Sequence, residues 1–159
     1  MCGIAGIVVN AQSEIRQERI KRSVLTMNTL QEHRGPDGKG VWINPEDGVG
    51  LGHVRLSIID VERGDQPMTS GDFVITYNGE IYNYIELRKE LGVENFETSS
   101  DTEVILKAYE KWGEACVSHF RGMFAFAIWD TRRKGLFCAR DRFGIKPFYY
   151  SKIPSGFIF

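Results

Sequence analysis

The sequence predicts an α+β fold built on antiparallel sheets, and three observations predict it. Strand-like segments stand at both ends of the chain, helical periodicity fills the middle, and the last third alternates like paired hairpin strands. The regular strand–helix alternation of a parallel doubly wound fold is missing. At 159 residues the chain suits one domain, so 1–159 is read as a single unit. It stops inside an apparent strand, which reads as a domain truncated on its C-terminal side and taken from a longer protein.

The opening run Cys2-Gly3-Ile4-Ala5-Gly6-Ile7-Val8-Val9 is apolar on both faces and reads as a buried strand. Ile20, Val24, Met27 and Leu30 recur at helical spacing, and the helix should end near residues 31–33, because Gly35-Pro36-Asp37-Gly38 is dense turn chemistry. Residues 49–59 are rich in β-branched and apolar types and read as one or two strands, with Gly50 and Gly52 permitting close backbone approach. Residues 73–77 form another strand that runs straight into Asn78-Gly79. Asn83 is the expected N-cap of a helix stopped by Gly92. Ser100-Asp101-Thr102-Glu103 is a capping box, with Ser100 as N-cap and Glu103 reaching back. The helix it opens carries Val104, Ile105, Ala108, Tyr109 and Trp112 on one face and stops at Gly113. Residues 124–130 and 135–141 then read as a hairpin, and residues 148–150 and 156–159 as a second.

Bulk properties exclude several function classes. Hydrophobic residues make up 42 % and charged residues 26 %, and the formal net charge is −1, so no electrostatic argument favours nucleic acid or a membrane. No apolar run approaches the roughly 20 residues that span a bilayer, and no secretory leader opens the chain, so a cytoplasmic protein is expected. The three cysteines, Cys2, Cys116 and Cys138, are too few and too scattered for a disulfide framework, and the three histidines form no zinc-type cluster. No metal site is expected.

Chemistry points first to Cys2. Once Met1 is removed, its thiol and its α-amine stand on one residue. An N-terminal amine has a reference pKa of about 7.7–8.0, far below a lysine, so a useful fraction is unprotonated at neutral pH and can take the thiol proton directly or through one water. On position alone, a buried inert cysteine at a strand start is the favoured reading of Cys2, since free cysteines commonly behave as small hydrophobes. Asn78-Gly79 could aim a side-chain amide and a backbone N–H at an oxyanion, although alone it reads as a two-residue hairpin turn. Arg55 stands in an otherwise apolar strand and could hold a carboxylate bidentately, while Glu80 and Asp101 could hold an ammonium. Asp101 would also complement a helix dipole without binding anything.

Met1-Cys2-Gly3-Ile4-Ala5-Gly6, His33-Arg34-Gly35-Pro36-Asp37-Gly38, Gly52-His53-Val54-Arg55-Leu56-Ser57-Ile58 and Tyr77-Asn78-Gly79-Glu80-Ile81-Tyr82-Asn83 occur in this order. Ser100-Asp101-Thr102-Glu103, Arg121-Gly122-Met123-Phe124-Ala125-Phe126-Ala127 and Arg140-Asp141-Arg142-Phe143-Gly144-Ile145-Lys146-Pro147 continue the series. No one stretch is specific, but their succession resembles the class II glutamine amidotransferases, and within them the asparagine synthetase branch.

The resemblance implies the N-terminal-nucleophile (Ntn) hydrolase fold, a four-layer αββα sandwich of two antiparallel sheets. It implies that Cys2 attacks the side-chain amide of L-glutamine to give a thioester and ammonia, with Asn78 and the Gly79 N–H as oxyanion donors. Arg55 then anchors the carboxylate, Glu80 and Asp101 hold the α-ammonium, and backbone atoms of Leu56, Ser57, Ile58 and Ile59 line the pocket. Arg34, Asp37, Asp141 and Arg142 are assigned to loop and core architecture, and Cys116 and Cys138 to burial. No cofactor is expected here; ATP and magnesium belong to a synthetase domain of the same longer chain, which would take the ammonia. Alternatives are an amidotransferase with a different acceptor, or a folded but catalytically inactive domain used for regulation or interaction. A homodimer stays open.

Overall fold

The computed structural model describes residues 1–10, 16–57 and 63–159. Among them, strands β1 (Gly3–Val9), β2 (Gly38–Asn44), β3 (Val49–Arg55), β4 (Met68–Ser70), β5 (Phe73–Ile81), β6 (Gly122–Asp130), β7 (Gly135–Arg140), β8 (Ser151–Ile153) and β9 (Gly156–Ile158) form two sheets. One has the order β2-β3-β1-β9-β8 and the other β4-β5-β6-β7. Every pairing between these strands is antiparallel. Helices α1 (Arg16–Leu30), α2 (Tyr84–Leu91) and α3 (Asp101–Trp112) complete the α+β fold.

The layers follow from which apolar faces need cover. Ile20 and Val24 of α1 pack with Ile7 and Ile43 on the outer face of the five-stranded sheet. Val104, Ile105 and Ala108 of α3 pack with Phe73, Ile75 and Tyr77 on the outer face of the four-stranded sheet. Between the sheets lie Val49, Leu51, Val74 and Trp129, with Val8 and Phe159 against them. The order is therefore helix, sheet, sheet, helix, the expected sandwich. Strand β3 is buried along its whole length. Its Gly50 and Gly52 admit α1, since a Cβ on Gly50 would run into Ile20 and Val24, and one on Gly52 into Val24 and Asn28. Among the described residues no helix is long and apolar enough to cross a membrane.

Several local expectations need correction. Asn78-Gly79 is no hairpin turn: both lie inside β5, opposite Ala125 and Phe124 of β6, because pairing along two long strands outweighs a local turn preference. Strand β2 was hidden by its glycines and by the turn chemistry that overlaps its start. The strand expected over 49–59 ends at Arg55, and residues 58 and 59 lie outside the described set. Asn83 occupies the N-cap position of α2 but makes no capping bond. Its amide donates to His119 O at 3.0 Å and its oxygen accepts from Arg121 N at 2.8 Å, tying α2 to the start of β6. Ser100 Oγ accepts from Glu103 N as expected, at 3.3 Å. Glu103 reaches past Ser100 to accept from Glu97 N at 2.9 Å and Thr98 N at 2.7 Å. The second hairpin starts at Ser151 rather than at 148, and its β9 joins β1.

The assigned architectural charges hold backbone in place. Asp141 accepts from the N–H groups of Phe124, Phe143, Ile145 and Lys146, fixing the loop after β7. Asp37 accepts from Ser57 N at 2.8 Å, and Arg142 Nη2 donates to Val117 O at 3.5 Å.

Candidate active site

At one end of the sandwich the start of β1, the end of β3 and the middle of β5 meet. The β1–β3 ladder ends at the Gly3–Val54 pair, so Cys2 stands one step beyond it, beside Arg55 and Leu56. Leu56 N–H donates to Cys2 Sγ at 3.3 Å, and the thiol lies 3.6 Å from Leu56 O. Arg34 Nε donates to Cys2 O at 3.2 Å. The sulfur is thus positioned by backbone, on a half-buried residue.

Next to it opens a cavity of about 280 Å3 lined by Met1, Cys2, Arg55, Leu56, Gly64, Gln66, Tyr77, Asn78, Gly79, Glu80, Asp101, Thr102, Met123, Ile145 and Lys146. Such a volume suits an amino-acid-sized ligand. The structure therefore brings Cys2, Arg55, Leu56, Asn78, Gly79, Glu80 and Asp101 to one cavity. Ser57 does not line it, its N–H being directed to Asp37. Ile58 and Ile59 lie outside the described residues.

The edge of β5 that faces away from β6 is informative. Phe124 directs its N–H and C=O to Asp141 on the β7 side, so the Gly79–Phe124 pair is not hydrogen-bonded. By strand alternation the N–H groups of Tyr77, Gly79 and Ile81 all leave β5 on the other side. Tyr77 N–H donates to Gln66 Oε1 at 2.6 Å and Ile81 N–H to Asp101 Oδ2 at 3.0 Å. Between these two occupied donors stands Gly79, on the cavity wall. A side chain there would strike Met123 O and the Phe124 backbone. Asn78, buried at 3 % exposure, belongs to the opposite face of the strand, toward the other sheet.

The polar ends of the cavity are held from behind. Arg55 is buried, and its Nη1 meets Asp65 Oδ1 at 3.0 Å, with the Asp65 side chain 91 % exposed at the rim. Asp101 is the first residue of α3, and its Oδ2 also accepts from the Tyr77 hydroxyl at 2.7 Å. Burial pushes the Asp101 carboxyl above its ordinary range; the Ile81 and Tyr77 bonds oppose that, and the charge of Glu80 adds to it. Burial, and then the Asp101 charge, push the Tyr77 hydroxyl well up, so it stays a donor.

Sequence reasoning missed Asp65, Gln66, Tyr77 and Lys146. A tyrosine on a buried strand needs a partner for its hydroxyl, a signal that could have singled out Tyr77. Asp65 and Gln66 follow no periodic pattern. Among the described residues no three side chains of His, Cys, Asp or Glu are grouped to hold a metal ion.

Comparison with known proteins identifies the family of the chain. The family described as glutamine amidotransferase domain matches residues 1–159. The chain is 48 % identical to glutamine-hydrolysing asparagine synthetase 3 of Bacillus subtilis, over all of this chain and 26 % of that protein. It is also 48 % identical to asparagine synthetase 1 of the same organism, over 96 % of this chain and 24 % of the relative. A 40 % identity links 95 % of the chain to 24 % of the amidase chry2 of Gibberella zeae. The chain thus spans about a quarter of the length of these relatives.

Proposed function

This chain belongs to the glutamine amidotransferase domain family, and on that premise we propose that it hydrolyses L-glutamine to L-glutamate and ammonia with Cys2 as nucleophile. The observation that carries the reading is the row of β5 donors: the Tyr77 and Ile81 N–H groups are occupied, and Gly79 between them lines the cavity that holds the Cys2 thiol.

Removal of Met1 converts the Cys2 nitrogen from an amide to an amine, the general base of the reaction. The amine takes the thiol proton as sulfur bonds to the side-chain amide carbon of glutamine. Charge gathers on the amide oxygen, where the Gly79 N–H and the Asn78 side chain donate to it. The C–N bond then breaks, the leaving nitrogen takes up the proton, and ammonia departs from a thioester. Water, deprotonated by the same amine, attacks that thioester and releases glutamate and the thiol. Arg55 holds the α-carboxylate, replacing its exposed partner Asp65, and Asp101 with Glu80 holds the α-ammonium. The Leu56 backbone fixes the sulfur.

The ammonia is consumed by a synthetase domain of a longer cytoplasmic chain, with aspartate as acceptor and with ATP and magnesium confined to that domain. The two synthetase relatives favour this acceptor. The test is glutamate release from glutamine by the purified chain without ATP. Turnover that disappears in Cys2→Ala supports the reading; full activity in that variant overturns it.

A further inference from the structure

We propose that His53 and Thr76 are positioning residues that set the spacing and register of the two sheets at the active site, an inference that rests on the glutaminase reading above. His53 lies in β3 two residues before Arg55, and Thr76 lies in β5 two residues before Asn78. Strand alternation puts all four side chains on the faces that the two sheets turn toward each other.

His53 Nδ1 and Thr76 Oγ1 are 3.3 Å apart, and Thr76 Oγ1 donates to Gly52 O at 2.9 Å. A hydroxyl has one proton. With that proton on Gly52 O, the Thr76 oxygen accepts, and His53 carries its hydrogen on Nδ1. Two directional bonds therefore cross the gap between the sheets one step below the site, between fully buried residues. Burial, reinforced by the Arg55 charge, holds the ring down at about 3, so it stays neutral. On the outer side of β3, Asn28 of α1 donates to Gly40 O at 2.9 Å and His53 O at 3.4 Å, bracing the strand at the same level.

The site needs such a device because its parts are divided. Arg55 belongs to the five-stranded sheet, whose strand β1 Cys2 immediately precedes, and Asn78 and Gly79 to the four-stranded one. Glutamine must bridge them, and any slide between the sheets moves the nucleophile relative to the oxyanion donors. The neighbouring inter-sheet contacts of Val49, Leu51, Val74 and Trp129 are apolar. Such contacts are non-directional and define register weakly, whereas hydrogen bonds fix it.

The experiment compares Thr76→Val and Thr76→Ser with wild type by two readouts: glutamine turnover, which needs both sheets, and the rate of Cys2 alkylation by iodoacetamide, which needs only one. Thr76→Val should lower kcat for glutamine by about 10²-fold, the loss typical of a misplacement near 1 Å. Its alkylation rate should stay within about twofold, and Thr76→Ser should recover most of the turnover. Unchanged turnover in Thr76→Val, or a parallel fall in both readouts, overturns the inference. If wild type itself turns over no glutamine, the glutaminase reading fails instead. Calorimetric glutamine binding then decides the positioning role: weakened binding in Thr76→Val with intact alkylation supports it, and unchanged binding overturns it.

Discussion

Tyr77 donates its hydroxyl to Asp101 Oδ2 at 2.7 Å, which joins the strand bearing Asn78 and Gly79 to the first turn of α3. Burying that carboxylate at the cavity costs stability, and the bond offsets part of the cost. Its pKa lies above the ordinary 3.8, so the folded state takes up a proton more readily than the unfolded one. The associated stability is complete below the unfolded value and is lost as pH rises through the folded one.

Asp101→Asn should therefore unfold at a urea midpoint no lower than wild type at pH 7, with its advantage shrinking as pH falls toward 3.8. Its KM for glutamine should rise roughly tenfold or more, as expected for a lost charge-assisted bond of about 1.5–3 kcal/mol. An unchanged KM would remove Asp101 from the ammonium site.

His53 carries the opposite pH signature. Its folded pKa is depressed from 6.5 to about 3, so it contributes stability that is complete above pH 6.5 and is lost as pH falls toward 3. The slope reaches about 1.4 kcal/mol per pH unit for one proton. His53→Gln should flatten the acid limb of a stability–pH curve in that window. Curves that run parallel down to pH 3 would show that His53 is not the group responsible.

The oxyanion donors give a kinetic test. Asn78→Ala should lower kcat by about 10²–10³-fold, the usual loss for one such donor, with a smaller change in KM. Gly79→Ala should abolish turnover and also destabilise the protein, because its Cβ meets Met123 O and Phe124 Cα, which are backbone atoms that cannot swing aside. Wild-type kcat in Asn78→Ala would exclude its side chain from the transition state.

How much of this was legible in sequence depends on the range of the force involved. Strands β1, β5 and β6 and the apolar face of α3 were readable, because burial imposes a period on the residues themselves. Asn78-Gly79 misled as a turn because its conformation is decided by the ladder to β6, not by neighbouring residues. Glu103 was readable as a capping residue, but its acceptance from Glu97 and Thr98 depends on how the preceding loop folds back. Candidate side chains such as Arg55 and Asp101 stood out as charges in apolar or capping contexts. Their partners Asp65 and Tyr77 did not, since both pairings are created by tertiary packing. The His53–Thr76 contact joins separate sheets and leaves no local pattern at all.

Cysteine selectivity makes the last prediction. Burial pushes the thiols of both Cys116 and Cys138 up to about 12. The thiolate is the reactive species, and at pH 7.5 each of these two sites holds it on the order of 10⁻⁴ or less of the time. Cys2 lies on the cavity wall beside Arg55, the proposed carboxylate anchor. A chloroketone analogue of glutamine should therefore add once, at Cys2, in the protein lacking Met1, and excess glutamine should protect the site. Intact mass gives the number of adducts, and peptide mapping gives their place. Labelling spread over Cys116 and Cys138, or labelling of Cys2 that glutamine does not slow, would show a merely accessible thiol beside the cavity and would overturn the nucleophile assignment.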